Sequence, residues 1–159
     1  MIRPIRLHPD PILHDVCAAV ADPASQHVPI LVRDMLETMY AAPGRGLAAP
    51  QVGVLLRLFV VDAGWRDGPR APEIFVDPRI VAASREVASG VEGCLSIPGE
   101  PRRVTRPAWV ALQWRDLDGR PREGRFDGAW AVCVQHEADH LDGRLILDHG
   151  APIDLEPRI

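Results

Sequence analysis

A histidine pair at helical spacing carries the clearest chemical signal in this sequence. His136 and His140 stand four residues apart, and Glu137 follows the first of them directly. On an α-helix, residues i and i+4 lie one turn apart on the same face. Two imidazoles placed in this way can bind one metal ion, and the glutamate between them can act as a general base on water. The alternative is that two histidines share one face of a solvated helix without a metal.

A catalytic metal of this kind normally takes a third protein ligand and keeps one position open. The candidate is Cys94, in the segment EGCLS at residues 92–96. Gly93 before it and Pro98-Gly99 after it indicate a bent segment or a strand end, where a side chain can be aimed at a site. Taken alone, a cysteine is more often a small buried hydrophobic residue. A cysteine nucleophile is a weaker alternative, because it leaves the second histidine and the glutamate without a function.

The segment GRGLAAPQ at residues 44–51 could bring a ligand close to the backbone. Its two glycines and two alanines leave little side-chain bulk. Gln51 has a neutral amide that can donate a hydrogen bond to a developing oxyanion. This segment alone is weak evidence, since glycines after a helix most often form only a turn.

The chain that must position these residues has 159 residues, enough for one domain and too few for two ordinary ones. We therefore predict a single catalytic domain over residues 1–159. The net charge of −4 argues against a broad surface for nucleic acid. No apolar run approaches the ~20 residues that span a bilayer, and the polar, proline-broken start is not a secretory signal. The expected location is the cytoplasm, and the 3 cysteines do not indicate a disulfide framework.

Apolar spacing predicts two helices in the chain. The first covers residues 28–39, and one buried stripe is expected on it, formed by Val28, Leu31, Val32, Met35 and Met39. The second covers residues 128–141, capped by Asp127 and stopped at Gly143, and it carries the two histidines. On this second helix, one face is expected to carry Trp130, Val134, Ala138 and Leu141.

Short strands make up much of the remaining prediction. They are expected at residues 54–61, 73–76, 80–87, 109–114 and 122–126. Asp118-Gly119 predicts a hairpin between the last two. The segment up to Gln26 is expected to be extended chain with turns, and residues 150–159 an irregular tail. Runs of strands with two separated helices indicate an α+β fold.

Together the three segments resemble, position for position, the signature motifs of the peptide deformylase family. The family patterns are GxGLAAxQ, EGCLS and QHExDH followed by LxG, and this sequence matches them at residues 44–51, 92–96 and 135–143. Residues 3–5 and 9–13 resemble the family's N-terminus, so the resemblance covers most of the chain. It implies an α+β fold in which short, twisted antiparallel sheets surround a central metal-bearing helix, with an additional N-terminal helix.

The resemblance also implies an activity and its partners. Peptide deformylases remove the formyl group from the N-terminal formyl-methionine of nascent peptides and release formate. The metal is characteristically Fe²⁺, replaceable by Ni²⁺, Co²⁺ or Zn²⁺, and its ligands here would be Cys94, His136 and His140. The implied partners are a formyl-methionyl peptide and, transiently, the ribosome. No specific nucleic acid and no membrane are implied.

The same resemblance assigns the remaining site residues. Glu137 would take a proton from the attacking water and return it to the departing amine. The Gln51 amide and the Leu95 backbone N–H would stabilise the oxyanion. The matching methionine-pocket positions are Gly46, Glu92, Val132 and Cys133. Asp139 would either orient a ligand histidine or be a surface charge.

Two departures from the family keep other functions open. Arg45 stands where an aliphatic residue is frequent, and it either folds outwards or narrows and charges the pocket. About ten irregular residues are expected at the C-terminus, where many bacterial members carry a helix. One alternative is a deformylase-like paralogue with another formyl or acyl substrate. Others are a non-catalytic, metal-binding relic of the fold, against which Glu137 and Gln51 argue, and a conventional HExxH peptidase, which Cys94 disfavours.

Overall fold

The computed structural model describes residues 1–150, which form two helices and seven strands. The helices are α1 (His27–Ala41) and α2 (Gly128–Leu141). The strands are β1 (Gly46–Ala48), β2 (Leu58–Val61), β3 (Glu73–Ala83), β4 (Val87–Cys94), β5 (Ile97–Pro107), β6 (Trp109–Arg115) and β7 (Pro121–Asp127). The predicted α+β class is therefore confirmed. The irregular tail predicted for residues 150–159 lies, beyond Gly150, outside the described residues.

The strands form two antiparallel sheets. Five of them pair in the order β1-β2-β3-β6-β7, and β4 pairs with β5 as a separate two-stranded sheet. Helix α2 contacts β1, β2 and β7 of the larger sheet and also β5 of the smaller one. Helix α2 thus lies between the sheets, as the family resemblance implies for the helix that carries the two histidines. Neither α1 nor α2 has the length and apolar character that a membrane-crossing helix needs.

Strand β2 is buried on both of its faces, which explains why its sequence is continuously apolar. Side chains alternate between the two faces of a strand. Phe59 and Val61 accordingly join the cluster that packs against α2, and Leu58 and Val60 join the cluster that packs against α1. The α2 side contains an aromatic stack in which the Phe75 ring lies 4.7 Å from both Phe59 and Trp114, measured between centroids.

Two predicted strand boundaries are wrong. Only residues 58–61 of the predicted strand 54–61 belong to the sheet. Residues 55–57 instead hydrogen-bond to Ala18 of the N-terminal segment, through Leu55 and Arg57. The strands predicted at 73–76 and 80–87 are one strand, β3, which ends at Ala83. An irregular register after Val76, where Asp77 has a φ of +48°, interrupts the apolar pattern without ending the strand.

The sequence pattern missed most of the β4–β5 hairpin and the short strand β1. Most residues of β4 and β5 are exposed, so burial imposes no apolar alternation on them. The hairpin is held by pairing of its backbones between Val87 and Pro107. Its importance is positional, because β4 ends at Cys94.

Helix α2 matches its predicted core face but not its predicted cap. Val134 and Leu141 are fully buried, and Trp130 and Ala138 pack against the same cluster. Asp127 occupies the N-cap position, but its side chain makes no capping hydrogen bond. The Asp127 backbone is extended, as N-cap residues usually are, and its side chain is exposed.

The helix stops as predicted at a glycine. Gly143 adopts a left-handed φ of +70°, and it lies against the backbone of His14. The 3-10 turn Pro11–His14 of the N-terminal segment is thereby held to the end of helix α2.

Replacing Gly143 by alanine should destabilise the protein, because the added Cβ would lie 2.4 Å from the His14 carbonyl oxygen. Gly119→Ala is the matched control, since its φ is +78° but no atom lies within 4 Å of its added Cβ. We expect the free energy of unfolding of the control to fall by about 1 kcal/mol, because of the left-handed backbone alone. The Gly143 variant should lose about 2 kcal/mol more. Urea unfolding at one fixed metal concentration measures the free energy of unfolding of both variants. Equal losses in the two would contradict the clash with His14.

Candidate active site

Two elements distant in the sequence bring the three predicted metal ligands together. Helix α2 supplies His136 and His140 from one face, and the last residue of β4 supplies Cys94. Their ligand atoms all lie within 4.8 Å of one another. The Cys94 Sγ is 3.4 Å from Nε2 of His140, and the two imidazole centroids are 5.1 Å apart.

This cluster fits a divalent metal ion. Metal–sulfur and metal–nitrogen bonds at a tetrahedral ion hold the two donor atoms about 3.5 Å apart, close to the 3.4 Å between Cys94 Sγ and His140 Nε2. A thiolate with two imidazoles is a donor set for late first-row divalent ions. Burial keeps the pKa of His140 well below its ordinary value, so its imidazole is neutral and able to ligate.

The imidazole of His136 is oriented by a hydrogen bond with Glu92. Its Nδ1 lies 2.9 Å from Oε1 of Glu92, which leaves Nε2 for the ligand cluster. Burial lowers the pKa of His136, but the bonds with Cys94 and Glu92 raise it more, to about 10. A ligand imidazole is neutral, so metal binding at His136 must displace any proton that its Nε2 carries.

Arg106 fixes the carboxylate that orients His136. Its Nε and Nη2 donate to the two oxygens of Glu92 at 2.7 and 3.0 Å. Burial raises the pKa of Glu92, but hydrogen bonds from His136 and Arg106 bring it down to about 2. Glu92 is therefore ionised and shared between a guanidinium and an imidazole. Sequence reasoning placed Glu92 only in the substrate pocket and assigned Arg106 no function.

Asp139 belongs to the same network, by a contact that the sequence did not indicate. It accepts a hydrogen bond from Nη1 of Arg106 at 3.0 Å, and its Oδ2 lies 2.7 Å from Nε2 of His149. It thus supports the guanidinium rather than a ligand histidine.

The Nδ1 of His140 is buried, and it has no hydrogen-bond partner within residues 1–150.

The side chain of Glu137 is buried beside the cluster. Only 4% of the residue is exposed, and its Oε2 has no hydrogen-bond partner among the described residues. Burial raises the pKa of Glu137 to about 7, although the charges of His136 and Arg106 oppose the change. The carboxylate lies close against Gly46, where an added Cβ would be 2.5 Å from Oε1 of Glu137. The second glycine of the GxG motif therefore makes room for this carboxylate.

Gln51 is held in one orientation at the cluster. Its Oε1 accepts a hydrogen bond from the Ala48 N–H at 2.9 Å. Its Nε2 then faces the hairpin end and donates to the Cys94 Sγ at 3.6 Å and to the Ser96 Oγ at 3.1 Å. Leu95 lies beside them in the turn between β4 and β5. The structure thus brings all the predicted catalytic residues to one place.

A cleft of about 590 Å³ opens onto these groups. All four residues predicted for the substrate pocket line it, namely Gly46, Glu92, Val132 and Cys133. Burial raises the pKa of Cys133 to about 12, so its thiol is neutral and forms an apolar part of the wall. Arg45 also lines the cleft, and its charge acts on Cys133, which favours the expectation that it narrows and charges the pocket.

The fold and this centre define a class of protein, the hydrolases that pair a Cys-His-His metal site with a buried glutamate. Residues 2–156 match the family model for polypeptide deformylase. The chain is 44% identical to the peptide deformylase of Brucella suis over 93% of its own length and 84% of the relative's. The chain belongs to the peptide deformylase family.

Solved structures agree with this assignment. Peptide deformylase from Thermotoga maritima superimposes with a TM-score of 0.89 at 34% identity, covering 96% of this chain and 99% of that one. A class I type b peptide deformylase from Acinetobacter baumannii, bound to Met-Ala-Ser, gives a TM-score of 0.87 at 33% identity, covering 94% and 98%. The family consists of metal-dependent hydrolases that cleave the N-formyl amide bond of nascent peptides. These likenesses favour that activity over the paralogue and the non-catalytic relic.

Glu92→Gln should weaken metal binding, because it keeps the side-chain shape but removes the charge shared by Arg106 and His136. We expect the affinity for Ni²⁺ to fall about 10- to 100-fold, as is usual when the partner of a ligand histidine is altered. Competition with a chromogenic chelator measures it. Glu123→Gln, at an exposed glutamate of β7, is the control and should bind as the unaltered chain does. An unaltered affinity in Glu92→Gln would show that the carboxylate charge does not support His136.

Proposed function

We propose that Cys94, His136 and His140 bind the divalent metal ion with which this chain removes the formyl group from formyl-methionyl peptides, and that Glu137 is the general base. The observation that carries the proposal is the convergence of the Cys-His-His cluster and the buried glutamate on one cleft. A relative of known structure binds Met-Ala-Ser, a peptide of the type that deformylation produces. We infer one catalytic domain over residues 1–159.

When bound, the metal polarises the formyl carbonyl and makes water easier to deprotonate near neutral pH. The Oε2 of Glu137 has no hydrogen-bond partner among residues 1–150, so it can accept the proton of the attacking water. The water oxygen bonds to the formyl carbon, and the carbon–nitrogen bond then breaks. Glu137 returns the proton to the departing amine. The products are formate and a peptide with a free amino terminus.

Two hydrogen-bond donors are available for the oxyanion of the tetrahedral intermediate. The Nε2 group of Gln51 is held towards Cys94, because the Ala48 N–H occupies the other end of the amide. Of its two hydrogens, one donates to Ser96, and we assign the other, whose contact with the Cys94 Sγ is long at 3.6 Å, to the oxyanion. We assign the second donor to the Leu95 backbone N–H, in the turn that follows Cys94. Donors fixed before the reaction stabilise developing charge without reorganisation, which is why such positions accelerate amide hydrolysis.

The methionine side chain is assigned to the wall formed by Gly46, Val132 and Cys133. Val132 is partly exposed at the cleft, and the Cys133 thiol is neutral, so both offer apolar surface. Glu92 lines the same region, but Arg106 and His136 neutralise its charge. An apolar thioether side chain can therefore pack there without facing an unpaired carboxylate.

We further propose Fe²⁺ as the native metal, with Ni²⁺, Co²⁺ and Zn²⁺ able to replace it. The mixed thiolate and imidazole donor set accepts all of these ions, and the resemblance in sequence motifs favours Fe²⁺. A thiolate at an Fe²⁺ centre is prone to oxidation, which calls for anaerobic handling. Because the substrates are nascent peptides, we place the enzyme in the cytoplasm with transient access to the ribosome.

Formate release from formyl-Met-Ala-Ser tests the proposal. The protein is loaded with Ni²⁺ or, anaerobically, with Fe²⁺. We expect turnover by the unaltered chain and a loss of at least about 100-fold in kcat for Glu137→Ala, because general base catalysis typically contributes that much or more. Metal content is measured in both proteins to show that the variant keeps its ion. Acetyl-Met-Ala-Ser is assayed in parallel, and equal or better turnover of this peptide would favour the paralogue instead.

Gly46→Ala should lower kcat with little loss of metal, because the added Cβ would lie 2.5 Å from Oε1 of Glu137 and must displace the carboxylate. We expect a loss of at least about tenfold, since small misplacements of catalytic groups are costly. Gly90→Ala on β4 is the control, as no atom lies within 4 Å of its added Cβ. The kcat for formate release and the metal content are measured for both variants. Equal rates would show that the close approach of Gly46 to Glu137 does not position the base.

A further inference from the structure

Arg45 presents a cation to the substrate cleft. It follows α1 in the chain and directly precedes β1, and it is half-buried. Its carbonyl oxygen accepts a hydrogen bond from the Asp62 N–H at 2.8 Å, which fixes the backbone from which the side chain projects. The Nε is shielded from solvent, and no acceptor for it is found within residues 1–150. Arg45 thus lines the cleft, and no partner for its guanidinium is found in the described part of the chain.

A second arginine lies at the same cleft. Arg66 is exposed, lines the cleft, and donates a hydrogen bond to the carbonyl of Pro43. The indole of Trp65 donates to the carbonyl of Gly44 at 2.8 Å. These two contacts hold the turn after β2 against the segment that precedes Arg45. The backbone that carries Arg66 is thus held beside the segment that carries Arg45, and both residues line the cleft; we call these two residues its rim.

The positive charge of this rim is not balanced by the protein. Within the described residues, neither Arg45 nor Arg66 forms a salt bridge, whereas Arg106 in the same region forms two. The cleft has two acidic residues, Glu92 and Glu137. The carboxylate of Glu92 is ionised but hydrogen-bonded to Arg106 and His136, and the carboxylate of Glu137 is buried against Gly46. A surplus of cations at a cleft in a chain of net charge −4 indicates an anionic group on the ligand.

We propose that Arg45 and Arg66 form a carboxylate-binding site that makes this enzyme prefer formyl-peptides with a carboxylate near the methionine. The proposal rests on the deformylase function proposed above. Guanidinium groups bind carboxylates through paired, charge-assisted hydrogen bonds. A cleft of about 590 Å³ is the size of a site for a small ligand, so the carboxylate must belong to the first few residues. An acidic side chain and the C-terminus of a short peptide both supply this chemistry.

Four formyl-peptides separate these sources. Formyl-Met-Asn-Ser-amide is the neutral reference for formyl-Met-Asp-Ser-amide, and formyl-Met-Ala-Ser-amide is the reference for the free acid of the same peptide. With Ni²⁺-loaded protein, we expect kcat/KM for at least one anionic member to exceed that of its neutral partner about five- to tenfold, mainly through KM. The ratio should shrink as salt screens the charges. An effect of the aspartate alone identifies a side-chain site, and an effect of the free acid alone identifies a C-terminal one.

Arginine variants assign the effect to the rim. In Arg45→Gln and in Arg66→Gln, we expect the ratio of kcat/KM between the anionic peptide and its neutral partner to fall towards one. Arg45→Lys should keep part of this preference. Arg85→Gln is the control, because Arg85 is exposed outside the cleft and should leave the ratio unchanged. Unfolding temperature and metal content verify that each variant is folded and loaded. A ratio near one in the unaltered protein, or one that both glutamine variants retain, would overturn the proposal.

Product binding keeps this test independent of turnover. Calorimetry compares Met-Asp-Ser-amide with Met-Asn-Ser-amide, and free Met-Ala-Ser with its amide, on the Ni²⁺-loaded protein. Tighter binding of an anionic peptide that Arg45→Gln abolishes would support the carboxylate site even if no formyl-peptide were hydrolysed. Absence of turnover for all four formyl-peptides would instead count against the deformylase function itself. Equal affinities within both pairs would count against the carboxylate site alone.

Discussion

The buried hydrogen bonds that join Arg106, Glu92 and His136 are the constraint on which the rest of the site depends. They connect the β4–β5 hairpin to helix α2, two elements distant in the sequence, and so bring Cys94 to the histidines. A buried ion pair is stable only when nearly all its hydrogen-bonding capacity is used. Here both oxygens of Glu92 accept from Arg106, and Asp139 accepts from the third nitrogen of that guanidinium. Removal of Arg106 would leave the buried carboxylate of Glu92 without its cation, and removal of Glu92 would take away the bidentate partner of that guanidinium.

The satisfied network contrasts with the atoms that are left unpaired beside it. Oε2 of Glu137 and Nδ1 of His140 are buried, and neither has a partner among residues 1–150. Buried polar groups in proteins are normally hydrogen-bonded, so each exception needs an explanation. For Glu137, the unpaired oxygen is the position at which a proton can be received. The surrounding structure, and above all the absence of a side chain at Gly46, holds the carboxylate in this unfavourable setting.

Local patterns in the sequence predicted the parts of the site that one helix determines. The spacing of His136 and His140 and the apolar face of α2 depend on helical geometry alone, so both could be derived before the structure. The partners of Arg106 depend on pairing between strands that are mostly exposed, and exposed pairing leaves no apolar alternation to detect. For the same reason the hairpin itself was missed. The division of β3 in two arose from the irregularity near Asp77, which resembles a turn in sequence but only shifts the register.

The cleft separates two electrostatic environments that suit different parts of a peptide. At its floor, the charge of Glu92 is cancelled by Arg106, and the Cys133 thiol is neutral, so an apolar side chain meets no free charge. At its rim, Arg45 and Arg66 are cations without carboxylate partners within the described chain. The net charge of −4 repels anionic peptides at long range, but screening limits that repulsion to about a Debye length, ~8–10 Å. Two guanidinium groups in direct contact with a peptide carboxylate therefore outweigh this repulsion. One cleft can in this way select an apolar first residue and an anionic group beyond it.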